Sequence, residues 1–248
     1  MITLAIESTA GIASVAVDRD GKKLAVLTLD SGNTHSTTLL PMVKSALDML
    51  SLKASDVDLF VLSAGPGSFT GVRIGCATVK GLAFPLGTPC VGVSSLEAMA
   101  WNMRGLRGIL CPVLDARRNT VYGAFFESDG ADPPKRLTED CDFEASDLAD
   151  RIREMSAPVY LAGDGAPIVR REYGEGLPEV PYLIATQSAS GVLDAGVHKY
   201  LAMSEEEKKD LSADTLIPIY LKKPQAERER EERLRAEKNG EMESQDEK

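Results

Sequence analysis

The sequence predicts a mixed α/β protein that lays down one plan twice. Three observations carry that expectation. Short β-rich runs alternate with stretches of helical periodicity; three strands in succession open each half; and the pattern starts again around Arg104–Gly108.

Taken in order, Ile2–Ile6, Gly11–Asp18 and Lys22–Leu29 read as strands, the last two joined through Asp18-Arg19-Asp20-Gly21. A helix near Thr37–Leu50 follows. Leu39, Leu40, Val43, Ala46, Leu47 and Leu50 form its apolar stripe, and Met42 and Met49 lie one heptad apart on the flank. Pro41 limits how early a regular helix starts, which puts His35 in the turn before it. Leu59–Ala64 is the next strand. Gly65–Gly75 is a loop running into a helix that continues to Phe84, and Cys90–Val93 is a short strand. Ser94 or Ser95 caps a helix through Met103. In the second half, Gly108–Ala116 and Thr120–Glu127 read as strands, Ser146–Met155 as a helix, Val159–Gly163 as a strand and Ser190–Tyr200 as a helix. Residues 1–104 form an N-terminal lobe and 105–222 a C-terminal lobe. Pro224 closes the body. The 223–248 tail is charged; Leu234 and Met242 are its only large apolar residues, too few for a core.

Composition narrows the function. A 248-residue chain that is 43% hydrophobic buries a substantial core. Acidic residues outnumber basic ones, 38 to 28, for a net charge of −10, which argues against gripping nucleic acid through the chain's own surface. Arg104, Arg107, Arg117 and Arg118 are the candidates for a local basic patch; solvated or ion-paired arginines are the commoner alternative. Cys76, Cys90, Cys111 and Cys141 show no CxxC pairing and read as reduced thiols of a cytoplasmic protein. No apolar run approaches membrane-spanning length, so no membrane role is expected.

The stretch Gly65-Pro66-Gly67-Ser68-Phe69-Thr70-Gly71-Val72-Arg73-Ile74-Gly75 is the most distinctive motif. Its glycines bring backbone N–H groups to a helix N-terminus, where an anion is favoured, and Ser68 or Thr70 can cap that helix. It is no P-loop, because Arg73-Ile74 stands where Gly-Lys-Ser/Thr is required. A tight strand-to-helix crossover explains the glycines equally well. Gly71 and Gly75, four residues apart, leave room for another helix backbone. No Gly-x-Ser-x-Gly elbow supports a Ser-His-Asp hydrolase.

The string Gly65–Gly75 resembles the signature of the TsaB (YeaZ) family, and ordered matches accompany it across about residues 1–222. They include Leu4–Thr9, Ser14–Val17, Thr34-His35-Ser36, Val93–Leu96, Leu114–Arg118, Gly163-Asp164-Gly165 and Pro218–Leu221. The resemblance implies an actin-like (ASKHA) fold of two ribonuclease-H-like lobes. It also implies a scaffold and activator, not an enzyme. Such a chain pairs with TsaD, which transfers threonylcarbamoyl to N6 of adenosine 37 in tRNAs reading A-starting codons. It supports binding of the ATPase TsaE, touches tRNA indirectly, and can form a homodimer alone. ATP and a metal then belong to the partners, and no cofactor is assigned to this chain. The interface residues implied are His35, Met42, Met49, Gly71, Arg73, Gly75 and Thr78.

The rival is a self-sufficient actin-fold ATPase or carbamoyl-transfer enzyme. In actin-like ATPases an acidic residue followed by small hydroxyl residues and glycine holds phosphate, and Glu7-Ser8-Thr9-Ala10-Gly11 has those residue kinds. Ser8, Thr9, Gly67 and Ser68 are therefore the candidate cofactor-binding residues, with plain hairpin roles for Ser8 and Thr9 the blander reading. Gly163-Asp164-Gly165-Ala166-Pro167 is the nearest approach to a second phosphate turn, and Pro167 donates no backbone bond. TsaD uses a His-x-x-x-His pair for its metal. Here His35 and His198 are too far apart in sequence to converge from one helix face, so no metal ligand is assigned.

Overall fold

Residues 1–222 are described by the computed structural model; the expected charged tail, 223–248, lies outside the described residues. The first lobe comprises β1 (Ile2–Glu7), β2 (Ala13–Arg19), β3 (Lys22–Leu29), α1 (His35–Met49), β4 (Leu59–Ser63), α2 (Phe69–Ala83), β5 (Cys90–Val93) and α3 (Ser95–Asn102). The second comprises β6 (Arg107–Asp115), β7 (Thr120–Gly123), β8 (Phe126–Asp129), β9 (Lys135–Arg136), β10 (Cys141–Glu144), α4 (Ala145–Arg153), β11 (Val159–Ala162) and α5 (Ala166–Tyr173). Then come α6 (Tyr182–Ala185), α7 (Ala189–Ala202) and α8 (Glu205–Lys209).

Side-chain alternation layers the first lobe. Leu4, Ile6, Val15, Val17, Phe60 and Leu62 face α1 and α2. Their neighbours Ala5, Ala16, Leu59 and Val61 face α3 and α7. The sheet runs β3-β2-β1-β4-β5, with β1, β4 and β5 parallel and the β1–β2–β3 meander antiparallel.

The second sheet repeats that order. β7 and β8 pair with β6 in a single register, Leu114 opposite Tyr122 and Leu110 opposite Phe126. That register sets Pro112 against Ala124, where proline has no N–H to give the ladder. The single strand expected over Thr120–Glu127 is accordingly interrupted at Ala124-Phe125. There Phe125 turns its N–H to Thr138 Oγ1 at 2.9 Å. β9 and β10 flank β8 and β7, and β11 lies parallel to β6 on its other side. Two copies of strand order 3-2-1-4 form the expected actin-like arrangement of ribonuclease-H-like lobes.

α3 joins the lobes through their cores. Ala98 and Trp101 pack toward the first sheet, and Leu96, Met99 and Met103 toward the second. The division at 104/105 is too simple for the chain's path: α7, inside 105–222, packs on β1, β2, β4 and β5 of the first lobe.

α1 departs from expectation in two ways. Its buried residues are Leu39, Met42, Val43, Ala46 and Leu47, the i, i+3, i+4, i+7, i+8 set, while Leu40 is 54% exposed. Pro41 also lies within the helix, which begins at His35. At this early position it strips a bond only from the carbonyl of Thr37, an exposed residue.

Candidate interlobe site

Four loops meet where the carboxyl ends of β1, β4, β6 and β11 converge, the edge at which open α/β sheets present ligand sites. β1 delivers Thr9-Ala10-Gly11, β4 the glycine loop, β6 the Asp115–Arg117 turn and β11 Asp164. Between them lies a cleft of about 590 Å³. A second hollow of about 540 Å³ adjoins it, sharing Gly11 and Asp164.

The first wall is braced internally. Glu7 is fully buried, and its Oε1 accepts from Thr9 N at 2.6 Å and Thr9 Oγ1 at 2.5 Å. Thr9 O accepts from Ser68 N at 2.7 Å, tying the first hairpin to the glycine loop. Ser8 Oγ donates to Gly71 O at 3.0 Å. His35 Nε2 donates to Ala10 O at 2.6 Å, so α1 holds the same turn. The hydroxyl protons of Ser8 and Thr9 are thus donated inside the protein, while Thr9 also borders the cleft. Ser68 and Gly67 do line the cleft, and Ser68 Oγ caps α2 by accepting from Gly71 N at 3.3 Å.

Burial pushes the Glu7 carboxyl above its ordinary value of 4.5, against the lowering effect of the Thr9 hydrogen bonds and nearby His35. The neighbouring Ser63 hydroxyl, turned toward this carboxyl, adds to that lowering. A raised folded-state pKa means that the folded protein keeps a proton the unfolded chain gives up. Stability therefore falls as pH climbs from the unfolded value to the folded one, then levels. Glu7→Gln keeps the acceptor for Thr9 and removes that loss. Thermal melting across pH 4–8 should find the variant at least as stable as the parent near pH 7, its advantage shrinking toward pH 4. A variant markedly less stable at neutral pH would mean that Glu7 works as an anion.

The second wall is more polar. Asp164 accepts from Asp115 N at 3.0 Å, and burial raises its carboxyl pKa. Beyond Asp115 the tip residues Arg117, Arg118 and Asn119 all take left-handed φ angles, which projects both arginines outward. Arg104 pairs with Asp194 at 2.6 Å, and Arg107 Nε donates to Asp129 O at 3.0 Å. The four arginines do not make one patch. Arg104 and Arg107 sit at the start of β6 and the other two past its end, about 25 Å away at strand rise.

The helix positions singled out from the sequence also separate. Met42 is only 9% exposed and belongs to the first core, whereas Met49 is 75% exposed. A Cβ on Gly75 would collide with Ser8 Oγ and come within 2.9 Å of Leu62 Cδ1; one on Gly71 would collide with Ser8 O. Both glycines thus face inward, and the space their missing side chains leave is filled by Ser8 and Leu62 of this chain. Arg73 is exposed; Thr78 is half-buried and donates from Oγ1 to Ile74 O at 2.8 Å. The outward face of α2 is Arg73, Ala77 and Gly81, continued by Phe84, with exposed Leu40 and Met49 on neighbouring α1. Counting i+4 from Arg73 instead of from Gly71 would have found it.

Comparison with known proteins fixes the lineage. The sequence model of the TsaD family, described as tRNA N6-adenosine threonylcarbamoyltransferase, matches residues 29–162. The Bacillus subtilis tRNA threonylcarbamoyladenosine biosynthesis protein TsaB is 29% identical over 231 residues, covering 92% of this chain and 96% of that one. The chain belongs to the TsaB (YeaZ) group of the TsaD family. The Escherichia coli TsaB is 37% identical over 132 residues, an alignment spanning 52% of this chain and 56% of the relative. YeaZ from Pseudomonas aeruginosa superposes with a TM-score of 0.70 at 26% identity, over 89% of this chain and 99% of that one. Among the described residues no helix is long and apolar enough to cross a membrane. The thiols Cys76, Cys90 and Cys111 are buried and unbridged, and burial pushes Cys90 up to about 11.

Proposed function

We propose that this chain is a non-catalytic partner subunit in the synthesis of N6-threonylcarbamoyladenosine in tRNA. It binds a TsaD-type transferase and stimulates transfer to N6 of adenosine 37, and it helps form the surface that TsaE recognises. The observation that carries this reading is the outward face of α1 and α2. Leu40 and Met49 on α1 and Phe84 just past α2 are 54%, 75% and 68% exposed, and α2 itself exposes the small residues Ala77 and Gly81, its only charges being Arg73 and Lys80. Small residues framed by apolar ones suit close packing of a partner helix.

The chain's chemistry points the same way. Its two histidines are occupied or distant: His35 holds Ala10 O, and His198 lies beside Trp101, ring centroids 5.2 Å apart. Metal and ATP are then the partners' equipment, tRNA is reached through the partner, and the complex works in the cytoplasm. The rival enzyme reading would need the first hairpin's hydroxyls, which are already committed to Glu7 and Gly71.

Light scattering of the chain alone and mixed with TsaD tests the pairing. The expected result is a one-to-one complex that forms at the expense of any homodimer, since both use the same face. Failure of the two chains to associate would overturn the proposal.

A further inference from the structure

The last described residues cross from one wall of the cleft to the other. Leu216 is buried in the first core; beyond it, residues 217–222 run without helix or strand. Ile219 N donates to Ala64 O at 2.7 Å. The Ile219 carbonyl occupies the space that a Cβ on Gly65, at φ +112°, would need. Tyr220 stacks on Phe69, with centroids 4.5 Å apart and planes 14° from parallel, and its hydroxyl accepts from Arg73 Nε at 3.1 Å. Two residues later the contacts belong to the second lobe. Lys222 Nζ donates to Thr120 Oγ1 at 2.7 Å, pairs with Asp142 at 3.4 Å and lies 5.6 Å from the Tyr122 ring centroid.

Phe69 and Arg73 line one side of the cleft and Tyr122 the other. Four residues, 219–222, therefore tie the glycine loop to the β6–β7 hairpin. α3 joins the lobes through their cores, whereas this strap joins the cleft walls themselves. Its anchors are few: Leu221 packs, half-buried, against the core that α3 shares with β6, while Ile217 is largely exposed and Tyr220 partly so. Segments held in this way open locally at far lower cost than a core strand.

We infer that residues 217–222 are a latch. Seated, they fix the separation between the glycine loop and the β6–β7 hairpin. Released, they let the cleft widen and free the Phe69 ring and the first turn of α2. The two walls are then coupled: loosening the strap at either lobe loosens both loops.

Hydrogen–deuterium exchange of the full chain tests this with Tyr220→Ala, Lys222→Met and Tyr220→Phe. In Tyr220→Ala, amides of 65–71 and of 116–120 should exchange about tenfold faster, while β1 and β4 stay protected. Lys222→Met should accelerate 65–71 as well, although Lys222 contacts Thr120, Tyr122 and Asp142. Tyr220→Phe keeps the ring stack and should change either loop by less than about twofold. Acceleration confined to 217–222, or to the one wall each residue touches, would overturn the latch. Equal acceleration in β1 and β4 would overturn it too, because the strap would then be holding the whole fold.

Discussion

Gly75→Arg is expected to leave no folded protein. A side chain there must displace Ser8 and Leu62 from the inner face of α2, and it carries a charge into the buried core. Overpacking and the burial of a charge together cost more than about 4 kcal/mol, a large part of the stability of a typical domain. Met42→Glu belongs to the same class, since Met42 sits among Leu39, Val43 and Leu47 in the first core. Urea unfolding followed by circular dichroism checks both variants. A Gly75→Arg protein with the parent's midpoint would mean that α2 turns a different face to its sheet.

The contrasting pair is Ala77→Arg and Phe84→Glu. Both positions are exposed, so the unfolding midpoint should move by no more than about 0.5 kcal/mol in stability. Association with TsaD should nevertheless weaken by about a hundredfold, because a bulky charge is set at the centre of a small-residue contact. Isothermal titration reads this directly. Unchanged affinity in both variants would move the interface off α1 and α2.

Much of the first lobe was legible because its strands are short β-rich runs and its turns are spelled in glycine, serine and aspartate. The stripe expected on α1 shares Leu39, Val43, Ala46 and Leu47 with the buried set and departs from it at Leu40, Leu50 and Met42. Leu40 has the residue type of a core position, but the i+3 spacing from Leu39 selects Met42. α5 was missed despite Pro167 in its first turn and Gly174 at its end, since eight residues carry too little periodicity to stand out. The break at Ala124 could not be read locally. It follows from Pro112, which meets it only through strand register.

The cleft was half legible for a similar reason. The glycine loop and the Glu7–Gly11 hairpin announce themselves, but Asp115, Asp164 and Tyr220 reach them only through the fold. Sequence also shows which residue types are present without showing how they are spent. Ser8 and Thr9 have the right chemistry for phosphate and are bound to their own protein.

On the reading proposed here, this chain activates a transferase and transfers nothing itself. The most direct measurement is modified adenosine formed from tRNA, threonylcarbamoyl-adenylate, ATP, TsaD and TsaE, with each component omitted in turn. Product that needs both TsaD and this chain, with none from this chain alone, is the predicted result. Product formed by this chain in the absence of TsaD would contradict the claim and place a catalytic site in its own cleft.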